Sequence, residues 1–111
     1  MADEKISRHE RENLLIRLDK EFAFAGATIP SELEADGERI QLRAFVFAMA
    51  KRRGMLTATE AGEIDRIIPL IRRRRRDIVA RISNEEMTKA QAARLYEEAL
   101  GLGRALDTLY R

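Results

Sequence analysis

Two apolar seams of matching period, separated by a short polar stretch, restrict this chain more than any other feature. Ile64, Ile67, Ile71, Ile78 and Ile82 recur at intervals of three, four and seven residues, and Ala92, Leu95, Ala99, Leu102, Leu106 and Leu109 at intervals of three and four. That period marks one face of an α-helix. Thr57 and Glu60 have the spacing of a capping box, as do Thr88 and Gln91. These signals predict a third helix from about residue 57 to 82 and a fourth from about 89 to 110. The connection Ser83-Asn84-Glu85-Glu86 is short, so the two helices form a long antiparallel hairpin. Pro69 lies inside the third helix, where it removes one hydrogen bond at a cost of about 3 kcal/mol. The seam continues in phase across Pro69, which predicts a kinked helix. The alternative is two helices, the second starting with Pro69 in its first turn.

The N-terminal half gives three further elements. Leu14, Leu15, Leu18, Phe22 and Ala25 form one stripe, predicting a first helix over about residues 7–25 with Gly26 at its left-handed end. Asp36-Gly37 is a tight-turn signal between alternating segments, Glu32-Leu33-Glu34 and Arg39-Ile40-Gln41-Leu42. A short β-hairpin follows, whose Leu33 and Ile40 should pack on helices together with Leu42. The segment Ala44 to Ala50 is apolar nearly all round, predicting a second helix over about residues 43–53 that is central and covered on most sides. The expected core includes Leu18, Phe22, Phe45, Val46, Phe47, Met49, Ile71, Leu102 and Leu106. The fold class is therefore mainly α: four helices with one small β-hairpin between the first and second. One domain spans 1–111, with residues 1–54 packing against the helical hairpin of 55–111.

Gly26-Ala27-Thr28-Ile29-Pro30, then Asp36-Gly37, then Ile40-Gln41-Leu42-Arg43-Ala44-Phe45-Val46-Phe47, followed by a charged helical pair, resembles a small family of uncharacterised archaeal proteins of similar length. The resemblance covers most of the chain and implies an archaeal origin. None of these residues is a catalytic signature, so it implies no activity and no site residues.

The residue inventory removes several chemistries. There is no cysteine, which excludes disulfides, thiolate catalysis and cysteine-ligated metal centres and fits a reducing compartment. No apolar run approaches the ~18 residues of a membrane span, and the charged start Met1-Ala2-Asp3-Glu4-Lys5 lacks a secretory core. The expected setting is cytoplasmic, with no membrane partner. His9 is the only histidine, so no two-histidine metal site exists in one chain. Ser7, Ser31 and Ser83 sit at cap or turn positions, and no nucleophile elbow surrounds them. Gly101-Leu102-Gly103 falls within a helix with no preceding strand, so it suits close approach of a neighbouring helix rather than a dinucleotide. The expectation is a protein that is not an enzyme, with no cofactor and no small-molecule ligand.

Charge is distributed unevenly. Residues 1–38 carry 5 basic and 10 acidic side chains, a net −5, whereas residues 39–81 carry 12 and 4, a net +8. Arg72 to Arg76 are five consecutive arginines, and at about 100° per residue they wrap the whole helix. With Ile71 as reference, Arg75 falls inside the apolar arc, predicting a partly buried side chain beside Tyr96 or a carboxylate. Arg66, Arg73 and Arg76 point outward. Together with Arg72 and with Lys51, Arg52 and Arg53 at the end of the second helix, they are the candidate residues for nucleic acid or another anionic partner. The competing reading is a solvated face whose charge is answered by the acidic N-terminal third. Aromatic residues number only six, and no RNA-binding motif or helix–turn–helix is evident. The leading functional expectation is a helical interaction or self-association module, possible as a homodimer; nucleic-acid binding through the arginine-rich third helix is the alternative.

Overall fold

The structure is a computed structural model that describes residues 4–20, 23–52 and 54–110. Phe22, placed in the first stripe, and Arg53, placed in the basic group, lie outside the described residues. The element order is α1 (Arg8–Asp19), β1 (Leu33–Ala35), β2 (Glu38–Ile40), α2 (Leu42–Lys51), α3 (Ala58–Asn84) and α4 (Lys89–Tyr110).

The long hairpin is the frame. α3 begins where Thr57 accepts a hydrogen bond from the Glu60 amide and the Glu60 carboxylate accepts from the Thr57 amide. Thr88 and Gln91 make the same reciprocal pair at the start of α4. α3 is unbroken through Pro69 and is about 40 Å long at 1.5 Å per residue. Pro69 is exposed, and so is Asp65 four residues earlier. The carbonyl that loses its partner therefore lies on the wet face, where water can satisfy it. The connection is tighter than the sequence suggested, because α3 continues to Asn84 and only residues 85–88 link the helices.

At the closed end of this hairpin, α1 lies across both helices. Ile78 and Ile82 are fully buried there, with Ala92 1% exposed and Leu18 5%. The N-terminal residues extend the cover: the Ile6 amide donates to the Met87 carbonyl at 2.9 Å and the Lys89 amide to the Glu4 carbonyl at 2.7 Å. Met87 is buried by this arrangement. α1 stops at Asp19 rather than at Ala25. Lys20 is already extended, and residues 23–26 form a turn closed by the Ala27 amide on the Phe24 carbonyl. The chain leaves the helix because the following segment is drawn onto α4. A β-carbon on Gly103 would stand 3.5 Å from that of Phe24, and one on Gly101 would stand 2.2 Å from the Thr28 carbonyl oxygen. Gly101 thus permits a close approach, but by the irregular segment 28–30 and not by a helix.

At the open end, the β-hairpin and α2 provide the cover. Leu33 pairs with Ile40 and Ala35 with Glu38. Asp36 and Gly37 carry positive φ of 53° and 75°, as a type I′ turn requires. Leu33, Ile40, Leu42 and Val46 are buried. The placement of α2 corrects the sequence reading. Only Leu42 and Val46 of α2 are buried, Phe47 is 44% exposed, and Ala44 and Ala48 face outward. The element is peripheral and packs on α4. Alanine faces are cheap to leave wet, so apolarity all round did not require burial. The centre is instead built by α3 and α4, where Ile71, Ile78, Ile82, Ala99, Leu102 and Ala105 are fully buried. Phe45, Met49 and Leu106 are half-buried against that core.

Candidate functional site

The basic side chains that bear on the candidate site fall into three groups. The first consists of Arg11, Arg43, Arg75 and Arg104, each of which donates to a backbone carbonyl: Ile82, Ile29, Leu18 and Ala27 respectively, at 2.6–3.2 Å. Each of these carbonyls lies at a helix end or in irregular chain, where no ladder supplies a donor. Arg75 is part-buried as its place in the apolar arc implied, but its partner corrects the expectation of Tyr96 or a carboxylate. It sits on the edge of that arc nearer α1, and the last turn of α1 presents unused carbonyls. Arg74, on the other side of the seam, meets α4: it forms a bidentate pair with Glu98 at 2.6 and 3.0 Å, with both side chains about one-third exposed. Donating to the Glu98 carboxylate makes Arg74 hold its proton more firmly than usual, against the opposing effect of partial burial.

The second group is the outward face of α3, the predicted anion-binding set. Arg66 donates to both carboxylate oxygens of Glu38 at 2.9 and 3.2 Å and also reaches Glu63. Arg73 donates to Asp36 at 2.7 Å. Arg72 lies over the Tyr110 ring, 5.2 Å from its centroid, within cation–π range. Arg76 is exposed. The turn and second strand of the β-hairpin thus sit against this face and answer two of its charges. Bonding to Glu38, then to Glu63, raises the pKa of Arg66 above its already high value, so it stays charged at any physiological pH.

Lys51 and Arg52 form the third group, at the end of α2. Lys51 is exposed, and Arg52 pairs with Glu60 in the first turn of α3. Glu60 is about 9 Å along α3 from Arg66 and about 24 Å from Arg76 at 1.5 Å per residue. The seven candidate residues therefore do not converge. Four lie along α3, two lie at the end of α2, and Arg53 is outside the described residues.

Sequence reasoning missed a different surface. Among the described residues the exposed large apolar side chains are Ile16, Phe47, Met55, Leu56 and Tyr110, and Met55 is 72% exposed. Four of the five belong to α2, the α2–α3 link and the last residue of α4, all at the open end. A small hollow of about 60 Å³ opens there, lined by residues of all three helices including Met49, Leu56, Ile64 and Leu109. The one available signal was the dipeptide Met55-Leu56 directly after a basic run and a glycine. A larger polar groove, about 720 Å³, runs beside the 28–34 segment, where Arg43 and Arg74 face Glu32, Glu34, Glu97 and Glu98. The arginines in it are already bonded to Ile29 and Glu98.

His9 is exposed, with the Asn13 side-chain amide 3.4 Å from its ring. Among the described residues no three His, Asp or Glu side chains are placed to hold a metal ion, and no helix is long and apolar enough to cross a membrane. No curated protein and no solved structure matches the chain. Residues 6–111 match DUF5788, a family of unknown function, and because that match spans nearly the whole sequence the chain belongs to this family.

Proposed function

We propose that the chain is a non-enzymatic helical interaction module that meets a protein partner, or a second copy of itself, through the open end of the α3–α4 hairpin. The observation that carries this reading is that Phe47, Met55, Leu56 and Tyr110 are all exposed on the elements that meet there, with Leu56 at the edge of a small hollow. Grouped exposure of this kind marks contact surfaces, whereas single exposed apolar residues do not. Aromatic residues and methionine are also the types enriched at such contacts. The alternative, nucleic-acid binding through α3, is weakened by the pairing of Arg66 and Arg73 with the β-hairpin. An archaeal, cytoplasmic setting is part of the same proposal, resting on the resemblance of residues 26–47 and on a cysteine-free composition.

The test is affinity capture from source cells, with and without nuclease, using the wild type and a Met55→Glu/Leu56→Glu variant. A nuclease-resistant partner lost by the variant supports the reading. A partner stripped by nuclease, or one retained by the variant, overturns it. Sedimentation velocity over a concentration series then separates self-association from a heterologous partner.

A further inference from the structure

The outward face of α3 and the turn of the β-hairpin are electrostatic complements far apart in sequence. Glu38 meets Arg66 across 28 residues and Asp36 meets Arg73 across 37. The Arg66–Glu38 contact is two-pronged, the geometry in which a guanidinium also grips a phosphate. Arg66, Arg73 and Arg76 project from one side of α3, the side turned away from the Ile71 seam. Their spacings of seven and three residues place them about 10 Å and about 5 Å apart along the axis. Without the hairpin turn, three cations would line one edge of a helix, with the exposed ring of Pro69 between Arg66 and Arg73. With it, two oxyanions occupy the positions that phosphates would take.

We infer that the acidic turn of the β-hairpin is an intramolecular guard: Asp36 and Glu38 occupy a latent phosphate-chain-binding face formed by Arg66, Arg73 and Arg76. The partner kept off is a polyanion recognised through its phosphates, because Arg66, Arg73 and Arg76 offer charge and the exposed Tyr110 ring already lies against Arg72. The two contacts are solvent-exposed, with side chains 45–67% accessible. Exposed pairs of this sort are weak, so the guard lowers affinity without abolishing it. The inference concerns a different face from the open end, and either can fail alone.

Removing the two charges tests it without disturbing the fold. Asp36 sits at φ 53°, and asparagine is well suited to that conformation next to Gly37. Glu38 is an exposed strand residue for which glutamine is close in shape. The variant Asp36→Asn/Glu38→Gln is compared with wild type for binding to a labelled DNA duplex by fluorescence anisotropy over a salt series. A control, Asp19→Asn/Glu97→Gln, adds the same two units of net charge at exposed positions away from this face. The guard variant should bind about tenfold more tightly at low salt. Its log–log salt slope should steepen by about 0.9, the share of one freed arginine, because Arg73 loses its partner while Arg66 keeps Glu63. The control should change binding less than about twofold by the same counterion argument. Adding Arg66→Gln/Arg73→Gln to the guard variant should remove the gain. Inorganic polyphosphate should compete as well as unlabelled duplex. The inference is overturned if the guard variant binds no better than wild type, if the charge control matches it, or if polyphosphate fails to compete.

Discussion

The two ends of the α3–α4 hairpin are covered by different means. At the closed end, α1 and the N-terminal residues lie over an isoleucine seam that is dry throughout, and Arg11 and Arg75 fasten the cover by donating to carbonyls of α3 and α1. At the open end, the cover is a ten-residue helix and a hairpin of two three-residue strands, and Ile64 and Leu109 retain 8% exposure. Phe47, Met55, Leu56 and Tyr110 stay in water there. One end is built to hold the fold, and the other leaves surface for contact.

The largest effect that separates the ends is core truncation. Ile78→Ala or Leu102→Ala should cost about 2–5 kcal/mol, because both sites are sealed and a cavity remains. Phe47→Ala should stay within about 0.5 kcal/mol of wild type, as surface changes usually do. Urea denaturation reads both. Equal losses at Ile78 and Phe47 would erase the contrast.

Glycine substitutions should sharpen it by sign. Alanine is favoured over glycine in a helix by about 1 kcal/mol. At Gly62, near the start of α3, an added β-carbon meets nothing within 4 Å, so Gly62→Ala should gain most of that. At Gly101 the same atom would collide with the Thr28 carbonyl, a backbone atom that cannot swing aside. Gly101→Ala should therefore lose about 1–3 kcal/mol through forced backbone shifts. Thermal melts moving in opposite directions are the expected outcome.

How far the sequence disclosed this division depends on which atoms meet. The isoleucine seam, the Asp36-Gly37 turn and the capping boxes at Thr57 and Thr88 are local patterns, and each stands where its spacing put it. The position of α2 was not legible, because Ala44, Phe47 and Ala48 are equally apolar whether they face a neighbour or water. The bonds of Arg11, Arg43, Arg75 and Arg104 were not legible either. Their acceptors are backbone carbonyls, which every residue possesses, so no side-chain pattern announces them. The pairing of Arg66 and Arg73 with the hairpin left a coarse trace in the contrast between the acidic first third and the basic middle. The exposed apolar group at the open end left only the Met55-Leu56 dipeptide.

A smaller effect concerns acid. The Glu60 carboxyl is held below the usual carboxylate range, chiefly by the Thr57 backbone amide and then by the Thr57 and Arg52 side chains, against an opposing effect of burial. Glu10 is lowered in the same way by Ser7 and Lys89. A depressed folded-state pKa means that the unfolded chain binds more protons as pH falls, so this stabilisation is present above the ordinary glutamate pKa near 4.3 and is lost below it. Glu60→Gln should flatten that decline at the α3 start, measured as melting temperature from about pH 6 to about pH 3. An unchanged slope would show that the cap is not formed in solution.

The contrast between the ends is tested most directly by native-state hydrogen exchange, read amide by amide. Amides between Ile71 and Ile82 in α3, and between Ala99 and Ala105 in α4, should exchange only through global unfolding, with one shared opening free energy. Amides of α2 should exchange through a separate, cheaper opening that leaves α1, α3 and α4 folded. Protection in α2 equal to that of the α3 and α4 core would contradict the account, because it would make the open end as firmly held as the closed one.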